Sequence, residues 1–161
     1  MAKAIFIAEN MASTKLGSLL RSAKQDTPIE NGCIVTLGDL VAGESDLYEA
    51  GAVTANTDDV YLVDGVELDS DEQLTKGLDD FENPANKPFR VRKALAGDRF
   101  SISASAITGT PVVGEFVEVP ATGNNLAAVQ TPTEGASLVC EVVALWTFGT
   151  RAIPMVRLVV K

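Results

Sequence analysis

Arg99-Phe100-Ser101-Ile102-Ser103 sets polar against apolar residues one by one, which is the period of a half-buried β-strand. The neighbouring stretches carry the same signal. Upstream, Phe89-Arg90-Val91-Arg92 alternates in the same way. Downstream, Val112-Val113-Gly114-Glu115-Phe116-Val117-Glu118-Val119 places Phe116 and Val117 toward an inward face and closes at Pro120. Gly123-Asn124-Asn125 marks a turn before the run 126–129, and the runs 138–145 and 153–160, joined through Phe148-Gly149-Thr150, finish the chain. Short strands at even spacing with Gly, Pro and Asn between them predict a mainly β fold, an antiparallel β-barrel or sandwich. No repeat of fixed period is present.

Residues 29–87 add strands and loops to this domain, which is expected to span 29–161. Cys33-Ile34-Val35-Thr36-Leu37 reads as a strand ending at the turn Gly38-Asp39, and Asp46-Leu47-Tyr48-Glu49-Ala50 alternates. Val60-Tyr61-Leu62-Val63 is a continuous apolar run closed by Asp64-Gly65. Ser70, with Gln73 three residues on, has the capping-box spacing, so one short helix is predicted over 70–81, stopped by Asn83-Pro84.

Residues 1–28 read as an extended N-terminal arm. Ala4-Ile5-Phe6-Ile7-Ala8 suits a short strand, while the stretch 12–20 is too sparse in apolar residues for a helix and has Gly17 in its middle. The cations Lys3, Lys15, Arg21 and Lys24 face only Glu9 and Asp26. Such a segment is either ordinary solvated chain or a basic arm that docks on a neighbour. In the second case Ile5, Phe6 and Ile7 bury in the partner, and Lys15, Arg21 and Lys24 steer the arm toward an acidic surface. Both ends are expected to be held by packing.

At 161 residues and 46% hydrophobic content, the chain can bury a core without a metal or disulfide staple. Its charge is unevenly placed. Fourteen of the 22 carboxylates fall between Asp39 and Glu82 with one basic residue, Lys76, against 12 basic and 8 acidic residues elsewhere. A net charge of −9 argues against nucleic acid as a partner, because a duplex binder needs excess Lys and Arg. No run approaches the roughly 20 apolar residues that span a bilayer, so no membrane partner is expected. The short apolar start is followed by Glu9 and no longer apolar region, so no secretory signal is expected. Cys33 and Cys140 each sit in an apolar run and read as two buried thiols.

The chain has no histidine, which removes Ser–His–Asp, Cys–His and Cys/His zinc chemistry together. No phosphate-cradling glycine motif occurs. The acids Asp58, Asp59, Asp64, Glu67, Asp69, Asp71 and Glu72 lack the EF-hand spacing and read as solvated loops around a helix N-terminus. No enzyme activity, cofactor or metal is expected. Arg90 and Arg92 share a strand face and suit either solvent or the acidic region of this or a neighbouring chain. Trp146 with Phe148 is either a core plug or an interface anchor. Tyr48 and Tyr61 beside the acidic loops leave open a non-catalytic carbohydrate- or surface-binding module of a virion as the alternative function.

Two stretches carry a resemblance. One is Glu30-Asn31-Gly32-Cys33-Ile34-Val35-Thr36-Leu37-Gly38-Asp39-Leu40-Val41-Ala42-Gly43-Glu44. The other is Ala96-Gly97-Asp98-Arg99-Phe100-Ser101-Ile102-Ser103 followed by Gly109-Thr110-Pro111-Val112-Val113-Gly114-Glu115-Phe116-Val117-Glu118. Over about residues 30–160 the chain resembles the capsid decoration, or head-stabilising, proteins of tailed bacteriophages. That resemblance implies a β-rich structural protein made in the host cytoplasm and carried on the outer surface of the virion capsid. It implies the major capsid protein as partner, and a homo-oligomer on the shell.

Overall fold

The computed structural model describes residues 2–67 and 77–161, and there the regular structure is almost entirely strand. The chain lays β1 (Phe6–Asn10) into a sheet and then builds a barrel from β2 (Leu20–Lys24), β3 (Ile34–Leu40), β4 (Leu47–Gly51), β5 (Val60–Val63) and β6 (Phe89–Arg92). It returns to the sheet with β7 (Arg99–Ser103), β8 (Ile107–Thr108), β9 (Phe116–Glu118), β10 (Leu126–Val129), β11 (Val139–Phe148) and β12 (Ile153–Val160). The barrel closes in the order β2-β4-β3-β5-β6, and the seven-stranded sheet runs β1-β7-β12-β11-β9-β10-β8. The pairing is antiparallel except between β2 and β4 and between β8 and β10.

Two hydrophobic clusters hold these layers. The first lies between the sheet and the outer wall of the barrel, where Phe6, Phe100, Ile102, Val142, Val156 and Leu158 meet Ile34, Val60 and Leu62. The second fills the barrel with Ala23, Cys33, Val35, Val63, Phe89 and Val91. Successive side chains of a strand point to opposite faces. On β3 and β5, therefore, Ile34 and Leu62 enter one core while Val35 and Val63 enter the other. That is why 60–63 is continuously apolar instead of alternating. Fully burying side chains of this kind contributes roughly 1.5–3 kcal/mol each.

Of the expected arm, residues 1–28, the described part does not stand off as an extended segment. β1 pairs with β7, with Phe6 opposite Ile102 and Ile7 opposite Ser101, and the Phe6 ring lies 5.6 Å from that of Phe100. β2 closes the barrel between β4 and β6. Between them the stretch makes two 3₁₀ turns, Ala12–Thr14 and Gly17–Leu19. An apolar strand gains most where a sheet offers an unpaired edge, and here that edge belongs to the same chain.

Most of the short helix expected over 70–81 lies outside the described residues. Its described end is a 3₁₀ turn, Leu78–Asp80, with the Gly77 amide donating to the Asp80 carboxylate at 3.3 Å. The stretch 112–119 is a strand only from Phe116. Before it the chain turns, with Gly114 at φ 88°, in the left-handed region that favours glycine.

Candidate functional site: two exposed hairpins

Two hairpins run beyond the cores, and each departs at a β-bulge. In the β11–β12 pair the register shifts between Val142 and Ala144. Up to Val142 the strand alternates with the core, and from the bulge onward Val143 and Leu145 are exposed, Leu145 to 51%. The 110–113 loop lies alongside. It is tied to the hairpin by the Gly114 amide donating to the Val142 carbonyl and the Val142 amide donating to that of Glu115, both at 2.9 Å. Val113 on this loop is 54% exposed. Pro111, Leu145, Trp146, Pro154 and Met155 line a shallow, mostly apolar depression of about 390 Å³.

Trp146 falls between the two roles expected of it. It is half-buried at the edge of this depression, its Nε1–H donates to Ser101 Oγ at 3.3 Å, and its ring meets Phe148 edge-on at 6.1 Å. The Arg157 guanidinium stands 5.9 Å from the ring centre. The far end of the hairpin is tied down by Arg151, which donates to Asp79 at 2.6 Å and Asp80 at 3.4 Å.

The β3–β4 pair shifts register between Leu37 and Leu40 and carries the unpaired part of the acidic region. Asp39, Glu44, Asp46 and Glu49 are exposed and form no ion pair among the described residues. Seven other acids of the region have partners. Asp64 binds Arg90 at 2.8 Å and also the buried Arg92, Asp59 meets Lys93, and Asp79 and Asp80 hold Arg151. Glu82 takes Lys3 at 2.7 Å, and Glu67 accepts from Asn31 at 3.2 Å. Asp58 accepts from the Thr54 and Ala55 amides at 2.8 and 3.0 Å, and these bonds hold its carboxyl below the usual range. Burial raises the Glu67 carboxyl, and the nearby Asp64 adds to the rise. Asp69, Asp71 and Glu72 lie outside the described residues. No group of three or more potential metal ligands occurs among the described residues.

Arg90 and Arg92 thus meet the acidic region of their own chain, through a single carboxylate. Arg92 also donates to Ser13 Oγ at 3.2 Å, so a buried cation bridges the N-terminal turn and the barrel. A buried ion pair of this kind is costly to break from one side.

The residues expected to contact a partner are dispersed. Ile5 and Phe6 are 1% and 5% exposed within the chain's own fold, and Ile7 is half-buried on β1. Lys15 is exposed, whereas Arg21 and Lys24 lie half-buried on β2 next to the acidic β4. Tyr48 and Tyr61 are not brought together. β3 runs between their strands, and Tyr61 packs on the barrel core beneath Lys93, 5.0 Å from its ring. Cys33 and Cys140 are free and buried in separate clusters, where burial pushes each thiol up to about 12.

One cluster had no signal in the sequence. Glu9 on β1 accepts from Ser101 Oγ at 2.6 Å and from Arg157 Nε at 2.9 Å, with Arg99 at 3.2 Å. It thereby joins β1, β7 and β12 across the outer face of the sheet, beside Trp146. Burial pushes its carboxyl up, but the bonds from Ser101 and Arg157 and the charges of Arg157 and Arg99 outweigh this and hold it below the usual range. Only the fold brings residues so distant in sequence together.

No family model matches the chain, and no characterised protein and no solved structure is significantly similar to it.

Proposed function

We propose that this chain is a structural virion protein that binds the outer surface of a phage capsid, as a homo-oligomer, and stabilises the shell without enzymatic activity. The observation that carries the reading is the apolar face of the β11–β12 hairpin with the 110–113 loop. Its side chains stay exposed although β11 is paired with β12 from Cys140 to Phe148, and β12 in turn with β7 from Met155 to Val159. Exposed apolar surface gathered in one place marks contact surfaces, and an aromatic residue at its edge suits a binding anchor. Such a face is ready to bind without ordering first, which lowers the cost of association. The second stretch that resembles decoration proteins runs along β7 and ends in this loop and β9.

On this reading the contact to the major capsid protein is made by Val112, Val113, Leu145 and Pro154. The acidic β3–β4 hairpin faces solvent, where its charge keeps crowded copies apart. Co-sedimentation with purified phage capsids tests the proposal. Saturable binding together with a rise in the temperature at which the shells fall apart is expected. A chain that stays in the supernatant, or binds without changing shell heat resistance, would reject it.

A further inference from the structure

Three donors converge on Glu9, and two of them also hold the ring of Trp146. Ser101 Oγ donates to the Glu9 carboxylate at 2.6 Å, while the indole Nε1–H donates to that same Oγ at 3.3 Å. A serine hydroxyl has one proton and two lone pairs, an ionised carboxylate only accepts and an indole only donates. The direction of the chain, Trp146 to Ser101 to Glu9, is therefore fixed by the carboxylate at its end. Arg157 Nε donates to Glu9 at 2.9 Å, and its guanidinium stands 5.9 Å from the centre of the indole, within the range of a cation–π contact. Arg99 completes the set at 3.2 Å. β1 carries a bulge at this point, since its register with β7 shifts between Ala8 and Asn10 and leaves Glu9 without a partner residue there. Bulges of this kind re-aim a side chain. Phe148 also meets the ring, but it lies two residues along the same strand and does not tie the indole to the sheet.

We propose that Glu9 is a positioning residue for Trp146, holding the indole by its edge through Ser101 and by its face through Arg157. The indole borders the apolar depression together with Leu145 and Pro154. A side chain at the surface without such ties changes rotamer within nanoseconds, and that freedom has to be frozen out when a partner binds. With them, the anchor is set in advance. The role requires the ionised form, because a glutamine would offer one accepting oxygen and a donating amide to three donors. The lowered carboxyl keeps Glu9 in that form at neutral pH. Use of the ring as a shell anchor rests on the preceding section, whereas its positioning is read on the free chain, so the two fail separately.

Trp146 is the only tryptophan of the chain, so tryptophan fluorescence reports this position alone. In the free full chain at neutral pH, Glu9→Gln should raise the rate of acrylamide quenching by about twofold or more and add a nanosecond depolarisation that the wild type lacks. Phe6→Leu loosens β1 from its core face, away from the indole, and should leave both signals at their wild-type values. If Glu9→Gln does not fold, Ser101→Ala, which removes the acceptor of the indole, takes its place with the same rise expected. On purified capsids the variant should bind about threefold to tenfold more weakly than wild type, the equivalent of one side chain left to be ordered on binding. Unchanged quenching and depolarisation in the variant, or an equal change in Phe6→Leu, overturns the positioning. A loosened indole with wild-type capsid binding overturns its use as an anchor. Shells that do not bind the wild-type chain reject the preceding reading alone, and the fluorescence still decides the positioning.

Discussion

The β11–β12 and β3–β4 hairpins are built by the same device and end with opposite surfaces. In each, one strand, β11 or β3, follows a core's alternation until a bulge, at Val142/Ala144 in one and Leu37/Leu40 in the other, and then leaves the packed layers. At the bulge and past it, β11–β12 presents Val143 and Leu145, whereas β3–β4 presents Asp39, Glu44, Asp46 and Glu49. A bulge bends a strand and ends its pairing register, so the residues beyond it no longer answer to the core. Their character then reflects what lies outside the chain. On the present reading that is a capsid surface in one case and solvent in the other.

The comparison fails first if the layers beneath the hairpins are not what holds them. Deleting residues 1–10 removes β1 with the buried Ile5 and Phe6. At roughly 1.5–3 kcal/mol per buried side chain, and with a strand's pairing lost as well, the loss approaches the roughly 5–15 kcal/mol that keeps a domain folded. Circular dichroism should show the truncated chain unfolded or melting far below the full chain. A near-wild-type melt would mean that residues 1–10 are a dispensable arm.

A pair of substitutions on either side of the departure from the core sharpens the contrast. Phe100→Ala, in the first cluster, should cost about 3–5 kcal/mol in urea unfolding. Leu145→Ala, past the bulge, should stay within about 0.5 kcal/mol of wild type. Equal costs would place Leu145 in the core and remove the apolar face as a free surface.

What could be read from residues alone follows from the same physics. Strands whose two faces differ, such as Phe89–Arg92 and Arg99–Ser103, show their alternation directly, and both have the bounds expected of them. The stretch Ile5-Phe6-Ile7 is legible as a strand, but its pattern is the same whether it pairs with its own chain or a neighbour. That ambiguity made it an arm. Val112 and Val113 read as strand because an apolar pair at an exposed turn looks like the start of one. The uneven charge was visible, yet its division into paired acids and a bare hairpin depends on contacts such as Asp64 with Arg90 and Arg92, which the fold creates.

A smaller effect concerns Glu9, which steadies the sheet below the apolar hairpin. Its carboxyl is held below the usual range in the folded chain, so its contribution is fully present above the unfolded value near 4.3. It is lost as the pH falls through the folded value. Glu9→Gln should therefore lower stability near pH 7 by about 1.5–3 kcal/mol, the usual worth of hydrogen bonds to a charged group. The gap to wild type should close as the pH drops below about 4. A gap that is constant with pH would show that the ionised carboxylate contributes nothing.

The most direct test compares the two hairpins on the same shells. Leu145→Glu and Glu44→Lys change one exposed residue each, past the bulge of each hairpin, and purified capsids titrated with either protein report the affinity. Placing a charge in the apolar contact should weaken binding at least tenfold for Leu145→Glu, in line with about 2 kcal/mol at an interface anchor, while Glu44→Lys binds within about twofold of wild type. Wild-type binding by Leu145→Glu, with loss in Glu44→Lys, would move the shell contact to the acidic hairpin and contradict the account.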